Sequence, residues 1–209
     1  NTSGEGIDRC GTWLQAIDRL SEDHWIGWTH VEADCNYAIM NTHKRMAYVE
    51  SFDQGKTWHF APKQTNTSYG KNGLTSLVVT GDARYLDDPD TDDAGDSDVI
   101  KHGDYYYMIY LGTGPNWSAR IARSPIAEKG APGTWQKYYC SDEGCGFTEP
   151  GIGGKATAID GINGSIDISY NTYLDRYLAP FANERYGFSI RFSQHESFSD
   201  IYEKPWGSA

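Results

Sequence analysis

An all-β fold made of four-stranded antiparallel blades, a β-propeller, is predicted by three features of the 209-residue sequence. Runs with a period of two recur along the chain, helix-period runs are nearly absent, and the strand runs fall into three successive sets of four. The composition agrees: 15 Tyr, 7 Trp and 23 Gly against 3 Met favour short strands and tight turns.

The first set covers 12–20, 24–33, 44–51 and 57–61, and a turn-rich stretch follows it. The second covers 97–102, 104–112, 118–124 and 134–140, and the third 165–171, 176–182, 187–193 and 199–204. Each set has an aromatic-rich second strand. Each third strand has a related form, A-Y-V-E-S, A-R-I-A-R-S or F-S-I-R-F-S. The expected blades are therefore about 10–61, 97–140 and 165–204 of a single domain over 1–209. Closed propellers have about 4–8 blades, so three imply an incomplete ring that is part of a larger propeller, or missing blades that come from further strands around 74–86 or from another copy. A twelve-strand β-sandwich is the alternative.

The balance of 18 Lys+Arg against 29 Asp+Glu gives a net charge of −11 and an isoelectric point near 4.9. Nucleic acid and anionic membranes, which need a basic surface, are excluded as partners. No apolar stretch approaches the roughly 20 residues of a membrane span.

Cys10, Cys35, Cys140 and Cys145 are even in number and lack metal-finger spacing, which points to two disulfides. If 12–20 and 24–33 form a hairpin turning at Glu22-Asp23, opposed residue numbers sum to 45 and Cys10 faces Cys35. Cys140 and Cys145 flank the polar turn Ser-Asp-Glu-Gly, which one bridge would close. Sequons begin at Asn1, Asn66, Asn116 and Asn163. With the cysteines, these glycosylation candidates indicate a secreted, extracellular protein. A start at Asn1 without Met or an apolar leader reads as a mature product, a fragment, or a sequence taken from coordinates.

At Ser51-Phe52-Asp53-Gln54-Gly55-Lys56-Thr57-Trp58 the chain resembles the Asp-box of sialidase-like propellers, a turn between third and fourth strands that marks the fold without taking part in catalysis. Gly95-Asp96-Ser97-Asp98-Val99-Ile100 ahead of Asp104-Tyr105-Tyr106-Tyr107 is similar to five-bladed propeller glycoside hydrolases of the family 43 type. So are Ala122-Arg123-Ser124-Pro125 with Pro132-Gly133-Thr134-Trp135, and Ser169-Tyr170-Asn171-Thr172-Tyr173-Leu174. These short motifs are scattered over about residues 25–195. The resemblance implies an Asp base, a second Asp that positions sugar and tunes the acid, and a Glu acid around a central channel.

Strand direction leads separately to a cluster of acids. In an up-and-down blade the start of strand one and the end of strand two share one face, and the turn between strands three and four lies on the other. Arg9, Trp28, His30, Glu32, Asp96, Asp98 and Asp167, with the loop carrying Glu149 and Lys155, belong to the first face or beside it. Glycoside hydrolysis needs one protonated and one ionised carboxyl group, about 5–5.5 Å apart for retention or about 6.5–9.5 Å for inversion. The expected roles are Asp98 or Glu32 as base, Asp96 or Asp167 as modulator and Glu149 as acid, with Arg9, Trp28, His30 and Lys155 binding substrate. The reaction requires no cofactor. Seven acids in the twelve positions from Asp87 to Asp98 make Ca²⁺ the ion this region would take, at Asp88, Asp90 and Asp92, against a simply solvated loop.

The function so indicated is an extracellular carbohydrate-active protein, a glycoside hydrolase working on a polysaccharide or glycan. The alternatives are a non-catalytic carbohydrate-binding propeller and a structural subunit that forms homo-oligomers through unpaired blade edges. G-x-S-x-G, H-E-x-x-H and P-loop motifs are missing from the sequence.

Overall fold

Three antiparallel sheets follow one another along the chain in a computed structural model that describes residues 10–36, 38, 41–61, 75–82, 94–112, 118–162, 165–183, 187–192 and 198–208. Sheet one contains β1 (Gly11–Arg19), β2 (Trp25–Asn36), β3 (Asn41–Ser51) and β4 (His59–Phe60), and β5 (Leu77–Val79) also pairs with β3. Sheet two holds β6 (Ala94–His102), β7 (Tyr105–Gly112), β8 (Ser118–Pro125), β9 (Gln136–Ser141) and β10 (Gly144–Pro150) in chain order. Sheet three is built on β13 (Arg176–Asn183), which pairs β11 (Ser165–Ile166), β12 (Ser169–Asn171) and β14 (Gly187–Phe192), with β15 (Gly207–Ser208) beyond β14.

The stacking of these sheets is set by β7. Its alternate residues Tyr106, Met108 and Tyr110 join Ile26, Trp28, Met46 and Tyr48 of sheet one in one core. Tyr107 and Ile109 join Ile168, Ala179, Phe198 and Ile201 in a second core on the other side. A strand buried on both faces reads as an almost unbroken apolar run, and YYYMIYLG is one. Sheet two is thus the middle of three layers. That order rules out the two-layer sandwich and is the face-to-face stacking of consecutive propeller blades, three of which are recognisable.

Several boundaries differ from the sequence expectation. The run 199–204 is not a strand: residues Asp200–Glu203 form a one-turn helix, α1. Phe198, Ile201 and Tyr202, spaced i, i+3 and i+4, pack on one core, which is helical spacing. An unanticipated strand, β10, doubles back on β9 and places Cys145 directly opposite Cys140. These two cysteines form the disulfide expected of them.

The first hairpin turns earlier than a sum of 45 requires. Leu20 and Ser21 donate to the carbonyl of His24, so opposed numbers sum to 44, as in Arg19–Trp25, and a bulge at Gln15 reduces the sum to 43, as in Gly11–Glu32. Cys10 consequently donates to the Glu32 carbonyl and does not face Cys35. Cys10 is in a disulfide, while the Cys35 side chain lies outside the described residues, as do Arg9, Asp88, Asp90, Asp92, Asn1, Asn66, Asn116 and Asn163. No helix among the described residues is long and apolar enough to cross a membrane.

Candidate functional site

The first turn of the chain toward chemistry is a break in regularity at the start of β6. Pairing with β7 slips between Gly95 and Ser97, leaving Asp96 as the extra residue of a β-bulge at a left-handed φ of 40°. Aspartate tolerates that region better than most side chains do. β1 has its own slip at Gln15, and the two irregularities meet: the Ser97 N–H donates to Gln15 Oε1 at 3.2 Å.

The bulge alters which way the acids face. In a regular strand Asp96 and Asp98 would share a side. Here Asp96 reaches sheet one, with Oδ1 3.2 Å from His30 Nδ1 and Oδ2 3.4 Å from Lys44 Nζ. Asp98 reaches sheet three, where the Ile168 N–H donates to Oδ2 at 3.4 Å and the protonated Asp98 carboxyl group donates to the Asp167 carboxylate.

Antiparallel register brings the remaining partners of Asp96 together. Glu32 stands opposite Lys44 and His30 opposite Met46, and on the other edge of β2 Gly11 opposes Glu32 and Trp13 opposes His30. His30 and Glu32 are buried, with His30 Nε2 3.4 Å from Glu32 Oε1. The Nδ1 atom is also 3.4 Å from the Asp96 N–H. With a proton on Nδ1 the ring donates to the Asp96 carboxylate, and without one it accepts from the amide. Gly95 is needed at this junction, because a Cβ there would lie 3.0 Å from Lys44 Cδ and 3.2 Å from His30 Cε1.

The two environments drive the two aspartates apart. Hydrogen bonding to His30 chiefly, then the Lys44 charge, outweighs burial and holds the Asp96 carboxyl down at about 2. Burial first, then the hydrogen bond and negative charge of Asp167, pushes Asp98 up to about 6. Between about pH 2 and pH 6 one is ionised while its neighbour two positions along holds a proton. Paired groups of opposed protonation are the raw material of acid–base chemistry.

Other expected site residues stand elsewhere. Glu149 is on β10, separated from β6 by β9, β8 and β7, about 19 Å away at the usual strand spacing. It accepts from the Lys155 N–H at 3.0 Å, and the Lys155 ammonium lies 5.4 Å from the Tyr139 ring. The role of Glu149 as acid beside the aspartates is therefore corrected: the strand that carries it is an outer one, and Lys155 goes with it. A depression of about 620 Å³ at this outer hairpin is lined by Tyr139, Ser141, Asp142, Glu143 and Glu149 among others, away from the aspartates. Trp28 is corrected as well. Its indole is fully inside the core between sheets one and two, where it donates to the Gly130 carbonyl at 3.1 Å, so it has no surface to offer a ligand.

Residues not singled out from the sequence are Lys44, Gln15 and Trp13. Only hairpin register, which places Lys44 across from Glu32, would have revealed the first. No three His, Cys, Asp or Glu side chains among the described residues are arranged to hold a metal ion.

No family model matches the chain, and no curated protein does. Among solved structures, a GH43 endo-arabinanase from Bacillus licheniformis is similar at 12% identity over 100% of this chain and 76% of that one, with a TM-score of 0.34. At that level of superposition the likeness carries no argument about fold or chemistry.

Proposed function

We propose that this is an extracellular carbohydrate-active protein, a glycoside hydrolase in which two aspartates of β6 divide the acid and base roles. Asp98, raised to about 6, donates the proton to the leaving oxygen, and Asp96, held at about 2, remains the carboxylate that activates water or attacks. Burial first, and then the hydrogen bond and charge of Asp167, keep Asp98 protonated. Lys44 and His30 keep Asp96 ionised and fix its direction. Two positions along a strand span at most about 7 Å between Cα atoms, and because the two carboxyl groups face opposite sides of β6, a glycosidic bond served by both has to lie over the start of that strand. The observation that carries this reading is the opposed displacement of two carboxyl groups so close along one strand.

The test is turnover on a panel of plant, algal and host polysaccharides, assayed between pH 4 and 6 by release of reducing ends. Hydrolysis by the parent chain, lost in Asp98→Asn and in Asp96→Asn, supports the assignment; full turnover in both variants discards it. One feature favours a second reading, a binding module without catalysis: Asp96 is already engaged by both His30 and Lys44. Saccharide binding without release of reducing ends would select that reading.

A further inference from the structure

On the side of sheet one that faces β6, the cross-strand pairs Gly11–Glu32 and Trp13–His30 lie next to each other. Gly11 has no side chain to occupy the place beside Glu32, and the Trp13 indole folds over it. A Cβ at Gly11 would stand only 2.1 Å from Trp13 Cη2. The indole also leans on the His30 ring, centroid to centroid 5.2 Å at 47°. His30 is itself gripped between Asp96 and Glu32. A backbone and a fixed ring therefore hold Trp13, yet it is 44% exposed.

We propose that Trp13 is a stacking subsite for one residue of a neutral oligosaccharide, over the His30 ring that engages Asp96. The electron-rich face of an indole attracts the weakly positive C–H face of a sugar ring, which polar side chains cannot match. Because the ring is held before the ligand arrives, little ordering is left to be done on binding. Asp96 and Glu32, both against the His30 ring that the indole leans on, outweigh the Lys44 charge beside Asp96, so an anionic saccharide is repelled and a neutral one is not. This inference rests on the carbohydrate reading above and concerns binding, so it can fail or stand apart from hydrolysis. The rival role for Trp13 is a mere apolar cover over His30 and Glu32, which a leucine would also provide.

The experiment is a calorimetric titration of the whole chain with neutral pentose and hexose oligosaccharides and with an oligogalacturonate. It compares the parent, Trp13→Leu, Trp13→Phe and Asp98→Asn. The parent and Asp98→Asn bind a neutral oligosaccharide. Trp13→Leu binds it about tenfold more weakly, the upper range for one aromatic contact, and Trp13→Phe within about threefold. Should the leucine variant not fold, the phenylalanine variant decides through fluorescence: binding persists but the saccharide-induced change in tryptophan emission disappears. Unchanged affinity in Trp13→Leu, an unchanged emission response in Trp13→Phe, no saccharide bound by the parent, or tighter binding of the anionic oligomer overturns the proposal. Binding that depends on Trp13 in a chain without turnover leaves the subsite standing and removes hydrolysis. Turnover whose KM is indifferent to Trp13 does the reverse.

Discussion

Two aspartates held at about 2 stand at opposite ends of β3, Asp53 in the turn that follows it and Asp96 reaching its start from β6, and they reach that state by opposite means. Asp53 is held within its own turn: Thr57 donates to it through both N–H and hydroxyl, at 2.8 and 2.6 Å, and Ser51 through its hydroxyl at 2.8 Å. Gly55, at a left-handed φ of 79°, closes the loop by donating to Ser51 Oγ at 2.8 Å. Every partner lies within four residues. Asp96 depends instead on His30 and Lys44, brought from another sheet. An acid satisfied locally shapes a turn, and an acid satisfied from afar joins two sheets. Lys44 and Ser51 mark the two ends, about 23 Å apart along β3.

The strongest way to break this contrast is to neutralise each acid in turn. Asp98→Asn and Asp96→Asn are expected to lower kcat about 10²–10⁴-fold, the usual contribution of a positioned acid or base. Asp53→Asn should lower the melting temperature and leave kcat unaltered. A drop in turnover for Asp53→Asn comparable to that for Asp96→Asn would erase the distinction.

Stability against pH gives a smaller but sharper division, because the two site aspartates carry opposite signs. The folded-state value for Asp98 lies above its unfolded one, so its stabilisation is complete below about pH 4 and is lost as pH rises through about 6. Asp98→Asn should therefore gain up to about 3 kcal/mol relative to the parent at pH 7, and little at pH 3. Asp96 lies below its unfolded value, so its contribution is present above about pH 4 and is lost as pH falls through about 2. Asp96→Asn should lose about 2 kcal/mol at pH 7, with the gap closing toward pH 2. Urea denaturation at pH 3, 5 and 7 reads both. Equal signs for the two variants at pH 7 would contradict the assigned environments. In activity, kcat/KM should fall above about pH 6 as Asp98 gives up its proton.

The sequence announces what local rules govern. Period-two runs locate most strands, since side chains alternate on a pleated ladder, and the polar turn between Cys140 and Cys145 is a short-range signal for their bridge. Strand direction also places Asp98 and Asp167 at one end of neighbouring sheets. What stays hidden depends on irregular register. A bulge at Asp96 has no periodic signature, yet it turns that carboxyl group away from Asp98 and toward His30 and Lys44. A second bulge, at Gln15, undid the arithmetic that put Cys10 across from Cys35. The stretch 144–150 is rich in Gly and starts from a disulfide turn, so its pairing as a fifth strand is decided by β9 and not by its own pattern.

That fifth strand supplies the smallest expected effect, and it tests the radial arrangement itself. Glu149 accepts a backbone N–H from Lys155 at 3.0 Å on a strand whose other edge has no neighbour in sheet two among the described residues. Its removal should loosen the local 149–155 turn by about 0.5–1.5 kcal/mol, the net worth of one hydrogen bond. Glu149→Gln retains a side-chain oxygen able to accept that bond, so even this cost should nearly vanish, and kcat should stay within about twofold of the parent. A fall as large as that for Asp98→Asn would require Glu149 to reach the same substrate atom across three intervening strands. In that case the order β10-β9-β8-β7-β6, on which the separation of the two regions depends, would have to be abandoned.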